Sequence, residues 1–420
     1  MTFFRYMIII IFIINLLLLQ SCEKQEIIAP AIDEPSNPSN LKVIWQKPLG
    51  LNDTLLHLST GPIVHNDKIV IGAGGGNREI LQFRNKVGGD FLFLWDDWVR
   101  PSFFNFIQPK RILNGNVFAN SSTQAYLVDF NSGQTLWHSS VEYGDVETNV
   151  VWGNAYHGVK EKSNLTHDFS FLTEIDGQTG QRDTLLTIVK QNSYETSIQP
   201  ASGWINEKGD SLLIFLVRKL DFGGTLDEAL DAYAYNMTAD SIEWRLTDFD
   251  PEGSSKVGPP LIEDNLIFFA GQRTFYCLNA KDGSLVWKRR FEDDTGVFTE
   301  DLFSSAFIKI DDKLIISPSN ENTYCFDAYT GEEIWKETDS ASSPQNMVHY
   351  DGVVYCASRG RGRLFAFDVE TGKHFWREHP PNHALDDRAS FTNRIDLDPE
   401  TGYIYLDDGF FVMCIEPYER

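Results

Sequence analysis

The chain lacks paired cysteines: its five, Cys22, Cys277, Cys325, Cys356 and Cys414, all stand apart. That excludes a vicinal disulfide, and isolated thiols inside apolar runs read as small buried residues. Basic charge is also scarce. With 36 Lys and Arg against 60 Asp and Glu, the net charge is −24, a surface that repels phosphate backbones. Nucleic acid is therefore not an expected partner. Long apolar runs are missing as well, with one exception at 7–19 (MIIIIFIINLLLL), which is short for the ~20 residues of a membrane span.

That exception carries its own meaning. Arg5 precedes the run and Leu19-Gln20-Ser21-Cys22 closes it, which resembles the lipobox of bacterial lipoproteins, where the cysteine is acylated and becomes the first residue. Residues 1–21 are then a signal peptide and Cys22 the lipid attachment site. Residues 22–40 hold Pro30, Pro35 and Pro38 among polar residues without hydrophobic period, the composition of a flexible tether. The folded part is expected over 41–420.

What is abundant is repetition. A twelve-residue phrase returns in register as YLVDFNSGQTLW (126–137), YCLNAKDGSLVW (276–287), YCFDAYTGEEIW (324–335) and FAFDVETGKHFW (365–376). Each spells a strand, a tight turn closed by glycine, and a second strand ending in tryptophan. Gly133, Gly283, Gly331 and Gly372 stand four residues before Trp137, Trp287, Trp335 and Trp376. Worn copies follow the same grammar: 173–184 keeps Gly180 but has Thr184 for the tryptophan, and 233–244 keeps Trp244 but has Asp240 for the glycine. Upstream of the phrases lie further strand pairs around Asn66-Asp67, Asp264-Asn265, Asp311-Asp312 and Asp351-Gly352, all turn formers. Two hairpins make a four-stranded blade.

The expected fold is all-β, a single β-propeller of four-stranded antiparallel blades. Trp137, Thr184, Trp244, Trp287, Trp335 and Trp376 are separated by 47, 60, 43, 48 and 41 residues, the pitch of such blades. A weaker first blade leads to Trp95, and the C-terminal strands lack a tryptophan strand of their own. LKVIW supplies one, with Trp45 closing the ring and removing an open edge. The count is eight blades, with seven as the alternative should 60–137 form one elaborated blade.

A small residue, Asp or Asn, then Thr-Gly or Asp-Gly and a tryptophan four residues on resembles the pyrroloquinoline-quinone-type (PQQ-like) propeller repeat. Neither paired glycines of Kelch type nor a terminal Trp-Asp of WD type recurs. The likeness covers 41–420, strongly from 258 onward and weakly between 75 and 230. Within that family the chain is similar to the propeller lipoproteins of the outer-membrane β-barrel assembly machinery. The resemblance implies a non-enzymatic envelope lipoprotein, lipid-anchored in the bacterial outer membrane and serving as a scaffold for a protein partner. The quinone enzymes of the family resemble longer chains with a vicinal disulfide, a calcium site and a catalytic aspartate, so no cofactor, metal or catalytic residue is expected. The alternatives are a small-molecule or glycan binder using the central funnel and, third, a PQQ- or calcium-dependent enzyme.

Weaker chemical signals do not change that ranking. Asp248, Asp250, Glu252 and Gly253 open like a calcium loop, but Pro259 stands where the bidentate glutamate belongs. His379 and His383 are four apart, yet Pro380 and Pro381 between them prevent an aligning helix. Two segments stand out as partner-binding candidates. SRGRGR (358–363) places Arg359, Arg361 and Arg363 in a glycine-rich turn of an acidic protein, with alternation sending them to one side. WDDWVRPSFFNFIQPK (95–110) offers Trp98, Phe103 and Phe104 in an insertion between blades.

Overall fold

The computed structural model describes residues 40–50, 58–75, 78–97, 108–120, 124–140, 148–160, 169–189, 194–221, 228–250, 258–291 and 306–420. Cys22 and the 1–40 segment, apart from Asn40, lie outside them, as do Trp98, Phe103 and Phe104.

Eight antiparallel sheets follow one another as propeller blades. Blades 1 to 7 span 58–95, 108–140, 149–189, 194–250, 261–290, 306–337 and 348–378. Blade 8 joins Asp396–Leu397, Ile404–Asp407 and Phe411–Ile415 to the N-terminal strand Val43–Pro48. Trp45 pairs with Cys414 there, so the expected closure by the first strand holds and eight is the count. The junction is well tied. Trp45 Nε1 donates to the Lys86 carbonyl at 3.1 Å, and the buried Arg84 donates to the carbonyls of Pro48 and Gly89 at 2.7 and 3.0 Å. Gln82 donates to the Leu49 carbonyl at 2.6 Å.

Blade 4 departs from four strands. Its first position is split into Tyr194–Ile198 and Ser202–Ile205, which pair with successive parts of Ser211–Asp221. Pro200 lies in the gap, where a ladder donor is missing. First strands of neighbouring blades touch one another and line the centre, so the fourth strands form the rim.

The repeated turn has one chemistry. Asp129, Asp176, Asp327 and Asp368 each accept backbone N–H bonds from the second and third residues on, at 2.6 to 3.0 Å. The glycine N–H then bonds back to the aspartate carbonyl, as Gly331 does to Asp327 at 2.8 Å. Gly331 has φ of 69°, and a Cβ placed on it would come within 2.6 Å of the Trp287 ring of the preceding blade. The glycine is thus required twice, by its turn and by its neighbour's indole. That indole reaches further, donating to the Ala328 carbonyl at 2.9 Å, and Trp335 does the same to Val369 at 2.9 Å. The indoles explain the repeat: those of Trp137, Trp244, Trp287 and Trp335 each hydrogen-bond and pack across a seam between blades.

Register corrects one expectation. In blade 1 the residue paired like the repeat tryptophans is Phe93, opposite Phe83 after a bulge, and it is Phe93 that packs on Gly133. Trp95 sits two residues further on, donating to Thr135 Oγ1 at 2.8 Å. The spacing rule survives, since Gly89 stands four residues before Phe93 and meets the Trp45 ring. The aromatic changed type, and a tryptophan nearby drew the assignment.

The thiols pack as expected. Cys277, Cys325 and Cys414 pair with Trp287, Trp335 and Trp45, as Ala366 pairs with Trp376. All four described cysteines are free and buried. Cys325 and Cys356 share one core cluster between blades 6 and 7 as unbridged thiols.

Candidate functional site

The 358–363 turn joins the second and third strands of blade 7, Val353–Ser358 and Arg363–Asp368. Gly362, with φ of 64°, lets its N–H return to the Ser358 carbonyl at 2.8 Å. Its three arginines do not share a side. Arg361 bridges to Glu321 and Asp339 of the blade 6 region, and its guanidinium holds the Asp339 carboxyl below the usual range. Asp339 is shared with Arg377 at 2.8 Å. Arg363 donates from Nε to His379 Nε2 at 2.8 Å, and the His379 ring stacks on His383 at 4.0 Å. Burial and then Arg363 push the His379 pKa down, consistent with an accepting, neutral ring. Arg359 is exposed and has no ion-pair partner among the described residues. The turn therefore spends two arginines on structure and presents one.

The histidine pair is close, but as a stack rather than a chelate. Among the described residues no group of three or more His, Cys, Asp or Glu is arranged to hold a metal ion.

First strands enclose a central cavity of about 610 Å³, with Asn149, Glu263, Lys309, Asn346 and Arg394 in its lining. Its charges are largely spoken for: Lys309, almost fully buried, bridges Asp264 at 2.8 Å and Glu263 at 3.4 Å. Burial is the largest single influence on Lys309 and opposes its charge, but the bond to Asp264 and the charges of Asp264 and Glu263 together outweigh it and the pKa rises. Burial lowers the pKa of Arg394. Among the described residues Phe307 is the one aromatic side chain in the lining, so converging aromatics and carboxylates, which a funnel-bound glycan would need, are not what these residues present.

Sequence reasoning missed Trp152. It occupies the first turn of blade 3, where other blades place Asn or Asp, with φ of 48° and 45% exposure. A bulky residue in left-handed backbone is strained, and an exposed indole held so is a candidate contact residue. The signal was present in VVWGN, a tryptophan where the repeat calls for a turn former.

The second missed feature is the seam between blades 3 and 4. Thr184 is exposed at the tryptophan position, and Asp240 holds the glycine position with φ of 52°. Tyr235 and Met237 of blade 4 pack with Leu185 and Leu186 of blade 3 instead. Further along the seam lies a cavity of about 230 Å³, containing Lys219, Asp231, Tyr233 and Arg245 in its wall. Asp231 is fully buried and accepts from Lys219 at 2.6 Å, Arg245 at 2.9 Å and the Asp248 N–H at 2.8 Å. Burial opposes the Lys219 charge, yet its bonds to Asp231 and Asp248 raise the pKa.

Comparison with known proteins agrees with this architecture. A family model described as "Outer membrane protein assembly factor BamB" matches residues 230–298 and 292–378. No curated protein matches the chain. Among solved structures, Sqt1 of Saccharomyces cerevisiae superposes with a TM-score of 0.65 at 10% identity, covering 90% of this chain and all of that one. BamB from Moraxella catarrhalis gives 0.55 at 13% identity, again covering 90% of this chain and all of that one. A quinohemoprotein alcohol dehydrogenase from Comamonas testosteroni gives 0.56 at 12%, covering 90% of this chain and 78% of that one. At such identities the structures share a fold. Residues 230–378 are thus similar to the repeats of the BamB family model, and the chain as a whole shares the propeller fold of these structures.

Proposed function

We propose that the protein is a non-enzymatic scaffold, anchored through lipid on Cys22 in the bacterial outer membrane, whose propeller docks a protein partner. The observation that carries this reading is the match of residues 230–378 to a model of an outer-membrane assembly factor, supported by the resemblance of Leu19-Gln20-Ser21-Cys22 to a lipobox. The dehydrogenase likeness is one of fold and brings no function by itself. Arg359, Trp152 and the 95–110 segment with Trp98, Phe103 and Phe104 are the contact candidates, because they depart most from the repeat. Arg361 and Arg363 support the turn that presents Arg359.

Co-purification from detergent-solubilised membranes tests the reading. The wild type is expected to bring down a stoichiometric membrane partner, and Cys22→Ser to lose acyl label and leave the membrane fraction. Arg359→Ser should slow partner association and reduce its salt dependence with an unchanged melt, since the removed charge sits at a rim. Arg361→Ser should cost about 1 kcal/mol of stability or less, as partly exposed ion pairs do. Recovery of the protein without any stoichiometric partner, or unchanged acyl label in Cys22→Ser, refutes the corresponding part.

A further inference from the structure

Seams of this propeller share a second aromatic device besides the repeat tryptophan. One residue before the position paired with that tryptophan, blades 2, 4, 5 and 6 place Tyr126, Tyr233, Tyr276 and Tyr324. In three of these blades a ring from the preceding blade meets the tyrosine edge to face. Trp95 meets Tyr126 at 5.0 Å, Phe249 meets Tyr276 at 5.2 Å, and Phe291 meets Tyr324 at 4.9 Å. Blade 5 shows the full set: Tyr276 stacks on Phe269 at 5.3 Å, and Phe249 caps both.

Blade 4 has the same lower pair, Tyr233 stacked on Phe215 at 5.4 Å with ring planes 6° apart. Its cap is missing. Blade 3 offers Ile188 and Val189 in that stretch, and the 230 Å³ cavity opens between them and Tyr233. Above the ring stands Arg245, 4.9 Å from its centroid. Both Asp231 oxygens are already occupied, whereas Arg245 uses one nitrogen on Asp231 and its Nε and Nη1 have no partner among the described residues. The polar capacity left over is therefore that of a donor with positive charge. Lys219 adds to it, its second partner Asp248 being 67% exposed and displaceable.

We propose that this seam binds a small molecule made of one aromatic ring and a carboxylate. The ring takes the place that Phe249 fills one seam on, edge to face with Tyr233 and flanked by Ile188 and Val217; the carboxylate pairs with Arg245 and Lys219. Size limits the class. An apolar cavity of about 150 Å³ holds benzene, and pockets for drug-sized ligands start near 300 Å³, so 230 Å³ admits one ring with a short tail and excludes a polycyclic cofactor. The inference does not rest on the docking reading.

Calorimetric titration of the full chain with 3-phenylpropionate tests it. Saturable binding is expected, with 3-phenylpropan-1-ol and hexanoate each about tenfold weaker or worse, for want of the charge or the ring. Arg245→Gln should weaken 3-phenylpropionate about tenfold or more, the loss of a charge-assisted bond. Ile188→Phe supplies the missing cap from within, and should abolish binding with a melting temperature equal to or above wild type. Absence of saturable binding at millimolar concentration overturns the proposal. So does undiminished binding in either Arg245→Gln or Ile188→Phe; should the latter fold poorly, Arg245→Gln and the two ligand analogues still decide.

Discussion

Trp335 and Thr184 both stand four residues after the repeat glycine, yet the seams beside them are built differently. At the seam between blades 6 and 7, the Trp335 indole lies against Gly372 and donates to the Val369 carbonyl at 2.9 Å. Its neighbour His374 is kept neutral: Arg377 donates to Nδ1 at 2.7 Å, and Nε2 meets Ser340 Oγ at 3.0 Å. Burial, then Arg377, depress that histidine to about 4. Glu337 approaches the ring at 3.4 Å, but a ring that accepts from a guanidinium is not the cation of an ion pair. The seam between blades 3 and 4 lacks the repeat indole and the repeat glycine, and blade 4 buries Asp231 and Lys219 there, beside a cavity. One seam is closed by an indole on a glycine, the other by apolar side chains beside a charge cluster internal to blade 4. A repeat can lose its signature residue without losing the ring, provided neighbouring strands refill the gap.

The most severe way to break the comparison is to remove a closing element altogether. Deleting Leu41 to Trp45 takes the indole off Gly89 and bares the edge strand Phe411–Ile415. It should cost more than about 5 kcal/mol, since truncating one buried aromatic alone costs about 3–5, and appear as a large cooperative fall in melting temperature. An unaltered melt would mean that the ring closes by other contacts.

Next in size is the direct contrast. Trp335→Ala should destabilise by about 4 kcal/mol, and Thr184→Ala by less than about 0.5, as exposed substitutions do. Equal effects in chemical denaturation would erase the distinction between the seams.

The finest test uses acid. His374 has a folded-state pKa near 4, below its usual 6.5, so its neutral form is favoured by folding. Its contribution is complete above pH 6.5 and is lost as pH falls through the window from 6.5 to 4. His374→Gln should flatten that part of the stability profile. A profile identical to wild type would show that the seam tolerates the imidazolium.

Legibility followed the same divide. From 258 to 378 each blade repeats Asp or Asn, a short turn, glycine and tryptophan, because a tight turn and an indole-filled seam leave few residue choices. Phe93 hid in blade 1 because one aromatic substitutes for another at the seam, whereas the register that singles it out depends on a bulge. The arginine turn was legible as a cluster but not as an arrangement. Partners Glu321, Asp339 and His379 come from 16 to 40 residues away in sequence, or from another blade, and alternation along a strand says nothing of them. Cys22, Trp98, Phe103 and Phe104 fall outside the described residues and stand as read from sequence.

By itself the sequence determined the all-β class, the blade pitch, the N-terminal strand that closes the ring, and the burial of isolated thiols. These are properties of local periodicity, which a chain must write into consecutive residues. Only the tertiary structure decided which arginine is left exposed, that Trp152 stands strained at a turn, and that one seam holds a charge cluster and a hollow where its neighbours hold a ring. Those depend on which side chain of one blade faces which of the next, a relation that spans tens of residues and leaves no period to read.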